Sequence, residues 1–169
     1  KWQHLPYDFQ IKCKQQQVTD ALERIAKVEI PAISPILGSD KIWEYRNKME
    51  YTFSAKKWRT WEEIRANAEF QDSSNALGFH IPGAFDKVLD IDECYLMQGL
   101  NNRLRNGIRE FAQKENIPFY DLRSHSGVLR SMMIRTSTTG EVMLLLQARV
   151  ECENDKAMLE KTLQFVADE

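Results

Sequence analysis

The sequence predicts an α+β fold, an antiparallel sheet with packed helices, on three observations. Apolar residues recur at helical spacing in three stretches, 8–27, 96–114 and 154–167. Alternating apolar and polar residues mark strands between them, at 44–55 and in the pair 128–136 and 141–150. That pair flanks a Ser137-Thr138-Thr139-Gly140 turn, with Gly140 supplying the positive φ of an antiparallel hairpin.

The first helix, 8–27, carries Ile11, Val18, Leu22 and Ile25 on one face, with lysines and glutamines opposite. Pro31, Pro35 and Gly38 make the next stretch a connecting loop. In the strand over 44–55, Tyr45, Asn47, Met49, Tyr51 and Phe53 fall on one side and Arg46, Lys48, Glu50 and Thr52 on the other. One apolar and one charged face suit a sheet covered on one side only. On such a strand Arg46 and Lys48 project from the same face, roughly 7 Å apart.

Thr60 with Glu63 is a capping-box pattern and predicts a short helix near 61–68. Two short strands follow, 76–81 and 87–91, joined by the turn-rich stretch 82–86. The helix over 96–114 presents Met97, Leu100, Leu104, Ile108 and Phe111 at steps of three and four, weakened by Gly99 and Gly107. The last helix, 154–167, turns Leu159, Leu163 and Val166 inward. The expected organisation is a helical segment, 1–28, followed by one α+β domain, 29–169. Lys1 at the start, and a helix with no strand after it, read as a piece cut from a longer chain whose last domain is truncated.

Several function classes find no support. No apolar run approaches the roughly 20 residues a membrane span needs, and no signal peptide opens the chain, so a cytoplasmic protein without membrane contact is expected. A net charge of −2 gives no global reason to bind nucleic acid. Charge is uneven, however: residues 40–59 hold six basic side chains against three acidic ones, whereas 151–169 hold six acidic against two basic. The seven glycines are scattered singly, so no dinucleotide or phosphate loop occurs. His4, His80 and His125 lack zinc-ligand spacing. Ser124-His125-Ser126 sets hydroxyls beside an imidazole, which alone makes no triad. Cys13, Cys94 and Cys152 form neither a disulfide framework nor a CxxC pair.

Two segments carry a resemblance. The first, 43–54, contains Tyr45-Arg46-Asn47-Lys48; the second, 77–94, runs from Gly78-Phe79 to the acidic turn Asp90-Ile91-Asp92-Glu93-Cys94. In this order and spacing they resemble the central region of the bacterial 23S rRNA (uracil-5-)-methyltransferases, relatives of the tRNA uracil-5-methyltransferases. Trp2-Gln3-His4-Leu5 is similar to the segment after the last cysteine of that family's N-terminal cluster, and the hairpin also fits. The resemblance covers nearly the whole chain.

It implies a parent with an N-terminal TRAM domain, a cysteine cluster, this central domain and a C-terminal Rossmann-like catalytic domain. The TRAM and catalytic domains, the catalytic cysteine, the general-base glutamate and the cofactor loop would lie outside these residues. The parent would use S-adenosylmethionine to methylate position 5 of a 23S rRNA uridine, through a covalent cysteine adduct and later proton removal. This chain alone would neither methylate nor bind the cofactor. Cys94, otherwise a small buried thiol, would be the fourth ligand of a [4Fe–4S] cluster whose other ligands lie upstream, and here a free thiol. Cys13 and Cys152 match no ligand position and remain packing residues.

RNA contact is expected at Arg46 and Lys48 through phosphates, and at His80 and Arg130, each weighed against an ordinary solvated or locally satisfied side chain. Tyr45, Tyr51, Phe53 and Phe79 have the chemistry to stack on unpaired bases, although alternate strand positions favour the core. The expected partner is 23S rRNA, bound by a monomer. The alternatives are a piece of a tRNA uracil-5-methyltransferase, or a non-enzymatic α+β module that binds RNA or protein.

Overall fold

The computed structural model describes residues 2–29, 31–66 and 75–168, in two compact units, 1–42 and 43–169. The first holds α1 (Tyr7–Asp20), which runs on into a π-helical stretch, Ala21–Ala26. Lys27 ends it in the left-handed conformation. The loop that follows is tied back to α1, where the Ser39 N–H donates to the Tyr7 hydroxyl and Gln15 donates to the Ser34 carbonyl. No residue of α1 is buried; of the predicted apolar face Val18 and Ile25 are exposed, whereas Ile11 and Leu22 are half-buried.

The second unit is a five-stranded, fully antiparallel sheet in the order β3-β2-β1-β4-β5. Its strands are β1 (Lys48–Ser54), β2 (Ala76–Ile81), β3 (Ala84–Asp90), β4 (Leu129–Thr136) and β5 (Val142–Ala148). With α2 (Trp61–Arg65), α3 (Gly99–Lys114) and α4 (Glu153–Asp168), this is the α+β arrangement that the periodicities predict. On one face of the sheet Met49, Tyr51, Phe53, Leu77, Met132 and Ile134 form a core with Leu104, Ile108 and Ala112 of α3. Met158, Phe165 and Val166 of α4 pack against that core. The opposite face presents Lys48, Glu50, His80, Met133, Arg135, Met143 and Leu145 at alternate positions.

Four local expectations are corrected. β1 begins at Lys48, not at 44, because Glu44 takes a left-handed φ of 52°. The Glu44 and Arg46 N–H groups then bond to the Tyr95 and Leu96 carbonyls, so this stretch is bound to the loop before α3 instead of to a strand. The 82–86 turn shrinks to Pro82-Gly83: proline sets the first φ, Gly83 takes φ 84°, and Ala84 already pairs with Ile81. In α4, Leu163 is 45% exposed, while Thr162 is buried and Met158 and Phe165 pack against the core. The Phe165 ring, stacked on Phe111 at 4.4 Å, sets that rotation. In α3, buried polar residues share the inner face with the expected apolar ones. The Thr60–Glu63 capping box forms as predicted, with both reciprocal bonds present; positions 67 and 68 of the expected helix lie outside the described residues.

Candidate functional site

Two places combine several chemistry-bearing side chains. The first is the loop between β3 and α3, which ends in Cys94. Asp90 closes β3, and its carboxylate accepts the Leu77 N–H (2.9 Å) and pairs with Arg109 (2.8 Å). Arg109 also pairs with Asp92 (2.6 Å) and donates to the Ile91 carbonyl. Arg105, one helical turn earlier, is fully buried and donates to the Ile91 carbonyl (3.1 Å) and the Asp92 carbonyl (2.5 Å). Asn106 donates to the same Asp92 carbonyl, and Asn102 accepts the Cys94 N–H (2.8 Å). Residues at positions i, i+3 and i+4 of a helix share a face, so α3 offers one polar stripe that fixes every residue from 90 to 94 except Glu93.

Cys94 itself is buried, 6% exposed. Its thiol lies against the hydroxyl of Tyr51, which donates in turn to Asn101. Burial first, and then the Cys94 thiol, push the Tyr51 phenol well above its ordinary value, against the opposing pull of Arg105. Tyr51 therefore stays a neutral hydroxyl at any physiological pH. Among the described residues no group of three or more His, Cys, Asp or Glu side chains stands close enough to hold a metal ion. Cys94 is the one cysteine of this loop, so its residues offer no more than a single thiol.

The second place is the open face of the sheet. A groove of about 430 Å³ runs across β2, β1 and β4, lined by His80, Glu50, Thr52, Ser131, Met133 and Leu145 among others. Lys48 and His80 project from this face, although Lys48 is paired with Glu50 at 3.2 Å. Arg46 does not share the strand with Lys48; it is exposed at the end of the sheet beside the loop that carries Cys94. Arg130 sits at the β4 bulge with its guanidinium 4.5 Å over the Tyr120 ring, and it does not line the groove.

Of the aromatics considered for stacking, Tyr51 and Phe53 are core and Phe79 packs against it, while Tyr45 is 56% exposed. Ser124 bonds to Ser126, and His125 faces Tyr120, so neither neighbouring serine is paired with that imidazole. Cys152 is exposed, contrary to its expected packing role, and Cys13 is half-buried.

The buried arginines are what sequence reading missed. Asn101, Arg105 and Arg109 repeat every four residues within the α3 pattern, a signal that was available. Charged residues at such spacing ordinarily mark the solvent side, so only the acidic loop opposite them reveals their burial.

No protein-family model matches the chain. It is 49% identical, over 168 residues, to a protein named uncharacterized RNA methyltransferase from Bacteroides thetaiotaomicron; the match spans 99% of this chain and 37% of that protein. A protein of the same description from Porphyromonas gingivalis is 47% identical over 172 residues, again 99% of this chain and 36% of the relative. The chain therefore spans little more than a third of these relatives' length. In fold it is similar to the tRNA (uracil-54, C5)-methyltransferase of Pyrococcus abyssi, solved with S-adenosyl-L-homocysteine, with a TM-score of 0.60 and 25% identity. That likeness covers 89% of this chain and 31% of the other. Among the described residues no helix is long and apolar enough to cross a membrane.

Proposed function

We propose that this chain is the central, RNA-handling part of an S-adenosylmethionine-dependent RNA (uracil-5-)-methyltransferase acting on 23S rRNA. The carrying observation is a likeness in both sequence and fold, over 89% of the chain, to a tRNA (uracil-54, C5)-methyltransferase. The relatives named RNA methyltransferases support the same class, and S-adenosyl-L-homocysteine in the solved neighbour supports S-adenosylmethionine as methyl donor. Catalytic and cofactor-binding groups are assigned to the remainder of the longer protein. A cytoplasmic location and a monomeric state belong to the same proposal.

Within that protein Cys94 supplies one thiolate to a [4Fe–4S] cluster, three other cysteines coming from outside this chain. Its support is local: a buried sulfur on a loop whose backbone is held by Asn102, Arg105 and Arg109. Iron–sulfur clusters take thiolate ligands, and a pre-set loop suits one supplied from a distance. Cys94 also favours rRNA over tRNA as the substrate, because the resemblance that assigns it a ligand role is to the rRNA enzymes. A tRNA substrate is the second reading, favoured because the solved neighbour is a tRNA methyltransferase. Methylation of 23S rRNA and of tRNA transcripts by the longer protein separates the two, and uridine methylated only in tRNA overturns the first.

RNA contact is assigned to Arg46, Lys48, His80 and Arg130. Arginine and lysine hold phosphates without reading sequence, and His80 lines an open groove on the exposed sheet face. Arg46→Ala with Lys48→Ala in the longer protein should weaken RNA binding. The salt dependence should become shallower by about one unit of slope per lost phosphate contact. Both side chains are exposed, so folding should change little. Filter binding across a salt series checks this; an unchanged slope and affinity in the folded double variant removes the phosphate assignment.

A further inference from the structure

We infer that Arg105 is a positioning residue whose buried positive charge serves as counter-charge to the anionic thiolate centre at Cys94. The inference rests on the ligand role proposed for Cys94. Arg105 carries a cationic guanidinium and has no exposed surface. All its hydrogen bonds end on neutral acceptors: the carbonyls of Ile91 and Asp92 and the side-chain oxygens of Asn101, Asn102 and Asn106. The two nearby carboxylates belong to Arg109, which takes Asp90 at 2.8 Å and Asp92 at 2.6 Å. Asp92 feels Arg105 only at longer range, and its side chain is 83% exposed. Among the described residues Arg105 therefore has no ion-pair partner. A charge taken out of water without a counter-charge is costly, and hydrogen bonds to neutral groups offset only part of that cost.

Cys94 is a second place where an anion can arise, and one side chain ties it to Arg105. Asn102 Oδ1 accepts both the Cys94 N–H at 2.8 Å and Arg105 Nη1 at 3.0 Å, so the guanidinium stands one shared acceptor from the cysteine backbone. The Tyr51 ring lies 5.0 Å under the guanidinium, and its hydroxyl is against the Cys94 thiol. A metal-bound thiolate has lost its proton, and a cluster carrying several thiolates is anionic, which is the charge this pocket lacks.

A guanidinium is also a good fork for loop carbonyls, so charge and shape have to be separated. The experiment uses the longer protein with its upstream cysteines, as wild type, Arg105→Lys, Arg105→Gln and Cys94→Ser. Circular dichroism reports the fold, iron per chain under chelator challenge reports retention, and a spectroelectrochemical titration gives the cluster's reduction potential. Arg105→Gln keeps polar bonding without charge and is expected to retain iron about tenfold less well against the chelator, with a lower potential for what remains. Arg105→Lys keeps the charge without the fork and is expected to stay close to wild type on both readouts. The inference is overturned if Arg105→Gln matches wild type, if Arg105→Lys loses as much as Arg105→Gln, or if neither variant folds. The last two outcomes make Arg105 a structural clamp. Cys94→Ser tests the underlying reading separately: a full iron complement and an unchanged spectrum in that variant end the ligand assignment, and this inference with it.

Discussion

Replacing Gly127 with alanine is expected to cost on the order of 4 kcal/mol of stability, and in a marginal chain to abolish folding. Gly127 takes φ 99°, a backbone conformation that L side chains rarely adopt. An added Cβ would stand 2.3 Å from the Phe119 carbonyl oxygen, 2.8 Å from its carbon and 2.9 Å from the Tyr120 Cα. These are backbone atoms, and hydrogen bonds fix them: Val128 N–H donates to Pro118 O at 2.9 Å, and Tyr120 N–H to Leu129 O at 2.9 Å. Phe119 is itself held edge-on against Phe53 in the core, so this segment cannot simply move aside. Gly140→Ala is the control, because Gly140 has a similar φ of 95° but nothing within 4 Å of an added Cβ. It should cost only the conformational term, about 1–2 kcal/mol. Urea unfolding of the two variants compares them, and equal losses would mean that the close approach at Gly127 contributes nothing.

Gly127 also shows where the sequence stops being informative. The hairpin between β4 and β5 is legible because both strands, the turn and the Gly140 conformation are local. The demand on Gly127 comes from residues 118–120, which the sequence does not visibly tie to it. The same division runs through the site. Alternation places Met49, Tyr51 and Phe53 in the core without reference to any other segment, and all three are buried there. It also extends β1 back to 44, because nothing local to 44–47 reveals that those residues bond to the Tyr95 and Leu96 carbonyls. Cys94 is singled out by resemblance, yet the way α3 holds its loop is not. A helix reading sorts Arg105 and Arg109 to the wet side until the acidic loop folds over them.

Removing Arg109 from that arrangement should produce the other large effect, a loss of about 3 kcal/mol for Arg109→Met, since the variant leaves half-buried acidic and carbonyl groups without their cation. The Arg109 side chain is 10% exposed and that of Asp90 17%, so water does little to screen this pair. The Asp92 pair contributes less, because the Asp92 carboxylate is 83% exposed. Asp90 also accepts the Leu77 N–H, so the disturbance should reach the start of β2. A second substitution separates an orphaned charge from lost packing. Asp90→Asn keeps an oxygen for Leu77 but removes the negative charge, so added to Arg109→Met it should recover about 1–2 kcal/mol. In the wild-type background the same Asp90→Asn change should destabilise, because it weakens an intact pair. Asp92 adds a pH signature: the hydrogen bond from Arg109 holds its carboxyl below the usual value. A depressed folded-state value stabilises the fold above the ordinary carboxylate pKa and stops doing so as pH falls through the folded value. Part of the stability gap between wild type and Arg109→Met should therefore close in acid, below about pH 4. Denaturant titrations of the four proteins at neutral pH and near pH 3 measure all of this. If Asp90→Asn changes stability by the same amount with and without Arg109, the two residues are uncoupled and the clamp around the Cys94 loop is not electrostatic.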